Sequence, residues 1–361
     1  MAKKGRGRGP RRSPRPPKKQ HEIMLYRAGF LGDILLTNAA VRAIRRRNPR
    51  SAIVYQCWPQ YDSAIAADPH ITGVARVGSY KYEADKLLDF RHELQPNWDT
   101  EYWGKLLYEQ AKDAGLAGRP DETYRPHVYM LPDSVADKAD DTRLCIVHGW
   151  SQNGQNWRMW SHEKWNELIL RLCQAGWVVV QVGGDDDPLF EEVYDLRGRT
   201  HDLMDLYGIF AVADLVVCID SAMQHISGAE KFIRQPEAGK LPIAAKGDGI
   251  QWVCGANKTI LLNGPMNPAC IVAPDSATTV VSCYDHCGNY EECDCDDVVA
   301  CIDECECDCH DEHRVGRPCN HSFGTEELPI CEWGNACMQS ITVNMVWEAI
   351  CKTTEEAAMA L

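Results

Sequence analysis

Hydrophobic and polar positions along this chain alternate between a strand period and a helix period, and the alternation runs through twice. In the first pass, "HEIMLYRAG" (21–29) reads as a strand. "DILLTNAAVRAIRRRNP" (33–49) carries apolar residues at helical spacing and predicts one helix ending before Pro49. "SAIVYQCW" predicts a second strand, "DSAIAADP" a short helix and "ITGVARVG" a third strand. The polar, aromatic stretch Tyr80–Tyr108 has mixed helical character, and "PHVYMLPDSVADKAD" reads as a last strand followed by a linker.

The second pass begins with "RLCIVHGW" as a strand. "SHEKWNELILRLCQAG" predicts a helix capped by Ser161, with Trp165, Leu168, Ile169 and Leu172 on one face. "WVVVQVGG" and "DLVVCID" read as buried strands, and "LMDLYGIFAVA" between them as a helix. "SAMQHISGAE" opens a further helix, "KTILLNG" adds a strand, and "ITVNMVWEAICKTTEEAAMAL" is a terminal helix. Strand–helix alternation of this kind predicts an α/β fold with mostly parallel sheets. We divide the chain into a basic tail (1–20), a first Rossmann-like domain (21–135), a second (136–352) and a terminal tail (353–361). Two such domains face each other across a cleft of strand ends and helix starts, a common place for ligands.

A length of 361 residues fits two domains. The net charge of -14 is unevenly spread. Residues 1–19 hold nine Lys or Arg and no acid, leaving 29 basic against 52 acidic residues elsewhere. That balance argues against a nucleic-acid-binding face. The tail reads as disordered, with transient contact to an anionic membrane as a second reading. With neither a secretory signal nor a stretch of membrane-spanning length, the expected location is cytoplasmic, including the inner face of a membrane. The sequence does not indicate an oligomeric state.

Four stretches carry candidate chemistry. In "GFLGD", Gly32 precedes Asp33, which is either a helix cap or a general base for a sugar hydroxyl. "HGWSQNGQNWRMW" supplies Ser151 and Gln152 in a polar loop, then Arg158, whose guanidinium suits phosphate oxygens. "VGGDDDP" offers Gly183 and Gly184 for close ligand approach, and Asp185, Asp186, Asp187 and Glu191 for a nucleotide ribose. "DLVVCIDSAMQHISGA" ends a strand at Asp220 and starts a helix at Ser221. The amides of Ser221, Ala222 and Met223 could take a phosphate, and His225 a phosphate or sugar.

Cysteine is concentrated late: eleven of 18 fall within residues 283–337. Cys293 and Cys295 are spaced C-x-C, and Cys305, Cys307 and Cys309 C-x-C-x-C. His286, His310, His313 and His321 add imidazoles. Thiolates and imidazoles suit structural zinc, and four thiolates suit iron. Disulfides and free thiols are the other readings.

Taken in order, "FLGDILLTNAAVRAIRRRNP", the Arg158 loop with "EKWNELILRL" and "WVVVQVGG", and "LRGRTHDLMDLYGIFAVADLVVCIDSAMQHISGA" resemble the bacterial heptosyltransferases that build lipopolysaccharide cores (glycosyltransferase family 9). The resemblance, weaker at "NGPMNP" and "CMQSITVNMVWEAI", runs with gaps over residues 22–352. It implies a GT-B fold, with an acceptor-binding first domain and a nucleotide-sugar-binding second domain. It implies an inverting, metal-independent transferase that moves a sugar, heptose foremost, from a nucleotide-diphosphate donor such as ADP-heptose. The acceptor would be a hydroxyl of a glycan, glycolipid or protein. The proposed base falls on Asp33, and the cationic diphosphate contact on Arg158, where lysine is usual. The donor-side turn falls on Asp220. Relatives with a late four-cysteine cluster, some holding iron, imply a first metal set of Cys283, Cys287, Cys331 and Cys337. Cys293, Cys295, Cys305, Cys307, Cys309 and Cys319 form a second candidate set. Two departures stand out: Lys231–Gly255 is inserted before "KTILLNGPMNP", and Met266 replaces the usual threonine. They motivate a second reading, a glycosyltransferase-like binding or assembly protein without catalysis.

Overall fold

The computed structural model describes residues 21–77, 84–91, 97, 100–120, 124–151, 158–200, 202–234, 250–264, 266–282 and 336–355. Its strands are β1 (Glu22–Tyr26), β2 (Ala52–Cys57), β3 (Gly73–Arg76), β4 (Lys86–Asp89), β5 (His127–Met130), β6 (Arg143–His148), β7 (Trp177–Gln181), β8 (Tyr194–Asp195), β9 (Leu215–Ile219), β10 (Glu230–Arg234), β11 (Ile250–Cys254), β12 (Lys258–Asn263) and β13 (Thr278–Ser282). The helices are α1 (Leu31–Leu36), α2 (Asn38–Arg47), α3 (Asp62–Ala66), α4 (Trp103–Asp113), α5 (His162–Gln174), α6 (Leu203–Val212), α7 (Ala222–Ser227), α8 (Pro268–Ile271), α9 (Ala336–Ser340) and α10 (Val343–Thr354).

The first lobe is a parallel sheet in the order β3-β2-β1-β4. The second is a six-stranded parallel sheet in the order β13-β12-β9-β6-β7-β8. Chain order runs outward from β6 in both directions, so the switch point lies between β6 and β9. In sheets of this kind ligands bind beyond the strand C-termini at that point. Strand side chains bury to both faces, as parallel sheets require. Cys145, Val147, Leu215, Val217, Ile260 and Leu262 pack with α5 and α10 residues such as Trp165, Leu168, Val346 and Ile350. Ile146, Val216, Cys218 and Leu261 face the other way, into an apolar core continuous with that of the first lobe. These are two Rossmann-like lobes, the GT-B architecture expected from the sequence.

Two local expectations are corrected, and a third segment takes a structure the sequence left open. The single helix predicted over 33–49 is two, meeting at Thr37. Thr37 Oγ1 bonds back to the Ile34 carbonyl at 2.7 Å and lies 3.0 Å from Tyr55 Oη, and back-bonding of this kind bends helices. Within Tyr80–Tyr108, Lys86–Asp89 forms β4 against β1. The apparent insertion Lys231–Gly255 contributes β10 and β11, which pair antiparallel, and β10 joins β5 in parallel. Lys231 is fully buried there, its Nζ donating to the carbonyls of Ala229 at 2.9 Å and of Ser227 and Gly255 at 3.3 Å. Arg234 donates to the carbonyls of Ala66 and Ala67, tying the added hairpin to the first lobe.

Helix α6 lies so close to the turn after β5 that a Cβ on Gly208 would collide with the Ser134 carbonyl. Gly208→Ala should destabilise the fold by roughly 1–3 kcal/mol through overpacking, measured as a lower denaturant midpoint with unchanged slope. Among the described residues no helix is long and apolar enough to cross a membrane.

Candidate functional site

A cavity of about 440 Å³ opens at the switch point, between the C-terminal ends of β6, β7 and β9 and the start of α1. Its second-lobe wall includes His148, Ser151, Arg158, Gly183, Gly184 and the turn Asp220–Met223. Phe30, Leu31 and Tyr61 close it from the first lobe.

Arg158 is the cation of this wall. Its Nη1 donates to the Asp220 carbonyl at 3.1 Å and stands 3.3 Å from Asp220 Oδ2. The pair is largely buried, with side-chain exposures of 20% and 8%. So anchored, the guanidinium lines the cavity, where its fixed charge suits an anion. Ser221 caps α7: its Oγ accepts from the Met223 amide at 3.3 Å and lies 3.2 Å from His148 Nδ1. One of the amides considered for phosphate is thereby engaged. Helix α7 has six residues, so Arg158 rather than a helix dipole is the main source of positive potential.

Asp33 sits behind the opposite wall. Its Oδ2 accepts from the amide of Phe30, a wall residue, at 2.9 Å, and its Oδ1 accepts from Arg27 Nη2 at 2.7 Å. Arg27 also donates to the Phe90 carbonyl at 2.8 Å, fixing the pair to the ends of β1 and β4. Asp33 is therefore a helix cap by geometry, held rigidly, with its side chain 22% exposed. His225 packs where α1 meets α7. A Cβ on Gly32 would stand 2.9 Å from His225 Cδ2, so the bare glycine lets the two lobes approach this closely. The imidazole is buried and outside the cavity wall. Burial lowers its pKa against the opposing pull of Asp220 and Asp33.

The acidic run divides. Asp185 lines the cavity, whereas Asp186, Asp187 and Glu191 lie outside its wall. Asp187 turns inward, its Oδ2 accepting the Gly184 amide at 3.0 Å, and burial raises its pKa. Asp186 and Glu191 are exposed to solvent. Gln152 lies outside the described residues, as do the candidate metal ligands other than Cys337. Cys337, with no disulfide partner among the described residues, is buried with Met338 and Ile341. Among the described residues, no three His, Cys, Asp or Glu side chains form a metal-binding group.

Sequence reasoning missed Arg27, His148 and the Phe30–Tyr61 side of the cavity. The available signal for His148 was its position, last in "RLCIVH" before a glycine and so at a strand's C-terminal end. It is buried against Ser221, with Nε2 3.9 Å from Asp187 Oδ2, and burial pushes its pKa down to about 4. His127, at the β5–β10 seam, is likewise pushed to about 4 by burial. From their ordinary value of 6.5 down to about 4, the unfolded chain takes up protons that the folded protein refuses. Stability should thus be full above that window and fall with falling pH within it, by up to about 1.4 kcal/mol per pH unit for each histidine. Denaturation curves across the window should show this slope, and His148→Asn should make it shallower.

Residues 98–231 match the family model of glycosyltransferase family 9 (heptosyltransferase). A comparison with curated proteins finds no match. Among solved structures, a glycosyl transferase family 9 protein from Veillonella parvula is 13% identical at a TM-score of 0.62, covering 93% of this chain and 98% of its own. ADP-heptose lipopolysaccharide heptosyltransferase II of E. coli is 13% identical at 0.61, covering 93% and 100%. The iron-containing dodecameric glycosyltransferase TibC of enterotoxigenic E. coli is 14% identical at 0.60, covering 94% and 77%. At these identities the likeness is one of fold. Together, the family segment and the fold support a nucleotide-sugar-dependent glycosyltransferase.

Proposed function

We propose that this heptosyltransferase-like GT-B protein transfers a sugar, heptose foremost, from a nucleotide-diphosphate donor to a hydroxyl with inversion at the anomeric carbon. The acceptor class is a glycan, glycolipid or protein, with a lipopolysaccharide core as the leading case. The observation that carries the reading is the pairing across one cavity of an anchored cation, Arg158, with the helix start that holds Asp33.

In the proposed reaction Asp33 takes the proton of the acceptor hydroxyl, and that oxygen forms the new bond to the anomeric carbon. The bond from that carbon to the diphosphate breaks, and the departing diphosphate carries the electron pair away. Arg158 stabilises the charge that develops on it. Ser151 and the Asp220–Met223 turn orient the phosphates, and Asp185 is placed for the ribose. Neutral His148 holds the Ser221 hydroxyl in one rotamer.

A second reading, binding without transfer, is favoured by one observation: both Asp33 oxygens already accept hydrogen bonds from the protein. The two part on one experiment. The protein is incubated with a panel of nucleotide sugars, ADP-heptose included, and its structure is then determined. Diphosphate beside Arg158 with the sugar towards Asp33, and released nucleotide once acceptor is added, supports transfer. Occupancy without turnover against any acceptor class supports binding alone, and an empty cleft with every donor removes both.

A further inference from the structure

Two glycines sort the acidic run that follows β7. Gly183 has φ +148°, and a Cβ there would overlap Asp187 Oδ2. Gly198, on the loop after β8, has φ +60°. A Cβ on Gly198 would overlap Oδ1 and Cγ of Asp185 and stand 2.9 Å from its Oδ2. Backbone at positive φ favours glycine, and the missing side chain lets each carboxylate close onto the main chain. The Gly198 amide donates to the Gly183 carbonyl at 2.9 Å. The two glycines are thus joined, and each leaves room for one acid.

The two acids end in different places. Asp187 is buried, its Oδ2 taken by the Gly184 amide. Asp185 is exposed and lines the cavity together with Gly198 and Thr200. Among the described residues the Asp185 carboxylate has no hydrogen bond or ion pair. The cation beside it in the chain fold, Arg197, is committed elsewhere. Its Nε donates to Asp195 Oδ1 at 2.9 Å, its Nη2 to Asp195 Oδ2 at 3.0 Å, and its Nη1 to the Asp187 carbonyl. Asp185 therefore presents a seated carboxylate with both oxygens open to the cavity's contents.

A carboxylate repels a diphosphate, so it must serve an uncharged part of the ligand that carries donors. A cis-diol fits this need. Its two hydroxyls can donate to the two carboxylate oxygens, and O–H bonds to an ionised acceptor are short and strong. The ribose of a nucleotide carries such a diol. Given the donor site proposed for the cleft, we propose that Asp185 reads the ribose diol and that Gly198 is the positioning residue that seats it. The site is then specific for ribonucleoside diphosphates over their deoxy analogues. Any residue with a Cβ at position 198 displaces the carboxylate, which is the mobile end of a short side chain, and the preference goes with it.

The test is calorimetric titration of the full chain with ADP and with 2′,3′-dideoxy-ADP, which share base and diphosphate and differ only in the diol. The wild-type protein should bind ADP about 10–100-fold more tightly. Asp185→Ala, an exposed truncation, should weaken ADP to the level of the dideoxy analogue and leave the analogue no weaker. Gly198→Ala should do the same, and the double variant should lose nothing further. Gly198→Asn brings in the same Cβ on a residue that tolerates positive φ, so it repeats this arm with less backbone strain. Equal wild-type affinity for the two nucleotides overturns the diol assignment, as does a preference that survives Asp185→Ala. A preference retained in either Gly198 variant, or equal weakening of both nucleotides there, overturns the positioning role. If the wild-type protein binds neither nucleotide, the donor site itself falls, and the assignment of Asp185 and Gly198 falls with it.

Discussion

Asp33→Asn should lower kcat by about 10²–10⁴-fold while leaving donor affinity unchanged. The substitution keeps the shape of the side chain and removes its capacity to take a proton. Its structural effects are of a different size. Asp33 caps α1 through the Phe30 amide and pairs with Arg27. Asparagine keeps one acceptor oxygen where Asp33 uses two, so one of these bonds is lost, at a cost of about 1–3 kcal/mol. A loss that size leaves a protein of ordinary stability folded, so it cannot produce a hundredfold fall in turnover. Steady-state kinetics, calorimetric titration with the donor and a thermal melt, run together, separate the two roles. Full turnover in Asp33→Asn would make the residue a cap alone.

The Asp33 question marks the boundary of what the sequence could tell. Segments whose structure is set locally were readable in advance. Ser161 caps α5 as its spacing implied, its Oγ accepting from the Lys164 amide at 3.3 Å. The buried strands β6, β7, β9 and β12 are apolar runs between turn signals. Segments set by tertiary partners were not readable. "KLLD" has two exposed residues out of four, including Leu87, and becomes β4 because the edge of β1 accepts it. The inserted segment yields strands because β5 offers an open edge to β10.

The same division holds within the site. Arg158, Asp220 and Ser221 share a cavity because strand ends and helix starts gather at a switch point, which the alternating pattern already implied. That Asp187 would turn inward was not legible, because its direction follows from the Gly184 amide it accepts. His148 reads as one more strand residue until the β9–α7 turn is folded against it. From the residues alone the cap and base readings of Asp33 both stood, because both call for a carboxylate near a helix start, and only the family resemblance favoured the base. Only the positions of Arg27 and Phe30 show how firmly that carboxylate is held.

Arg158→Ala should lower kcat/KM by about 10²–10³-fold, the usual effect of removing one preorganised donor from developing negative charge. Arg158→Lys should recover part of that loss, since it restores the charge without the planar fork. A fall in Arg158→Ala activity could also arise indirectly. The substitution strips Asp220 of its cation, and a carboxylate that is 8% exposed without a partner strains the turn holding Ser221. The double variant Arg158→Ala/Asp220→Asn resolves this, because it removes the stranded charge along with the cation. If Arg158 acts on the leaving diphosphate, the double variant regains stability while kcat/KM stays low. If Arg158 serves only to neutralise Asp220, stability and activity return together. Measuring both quantities on all four proteins of the cycle therefore assigns the cation either to the substrate or to the turn.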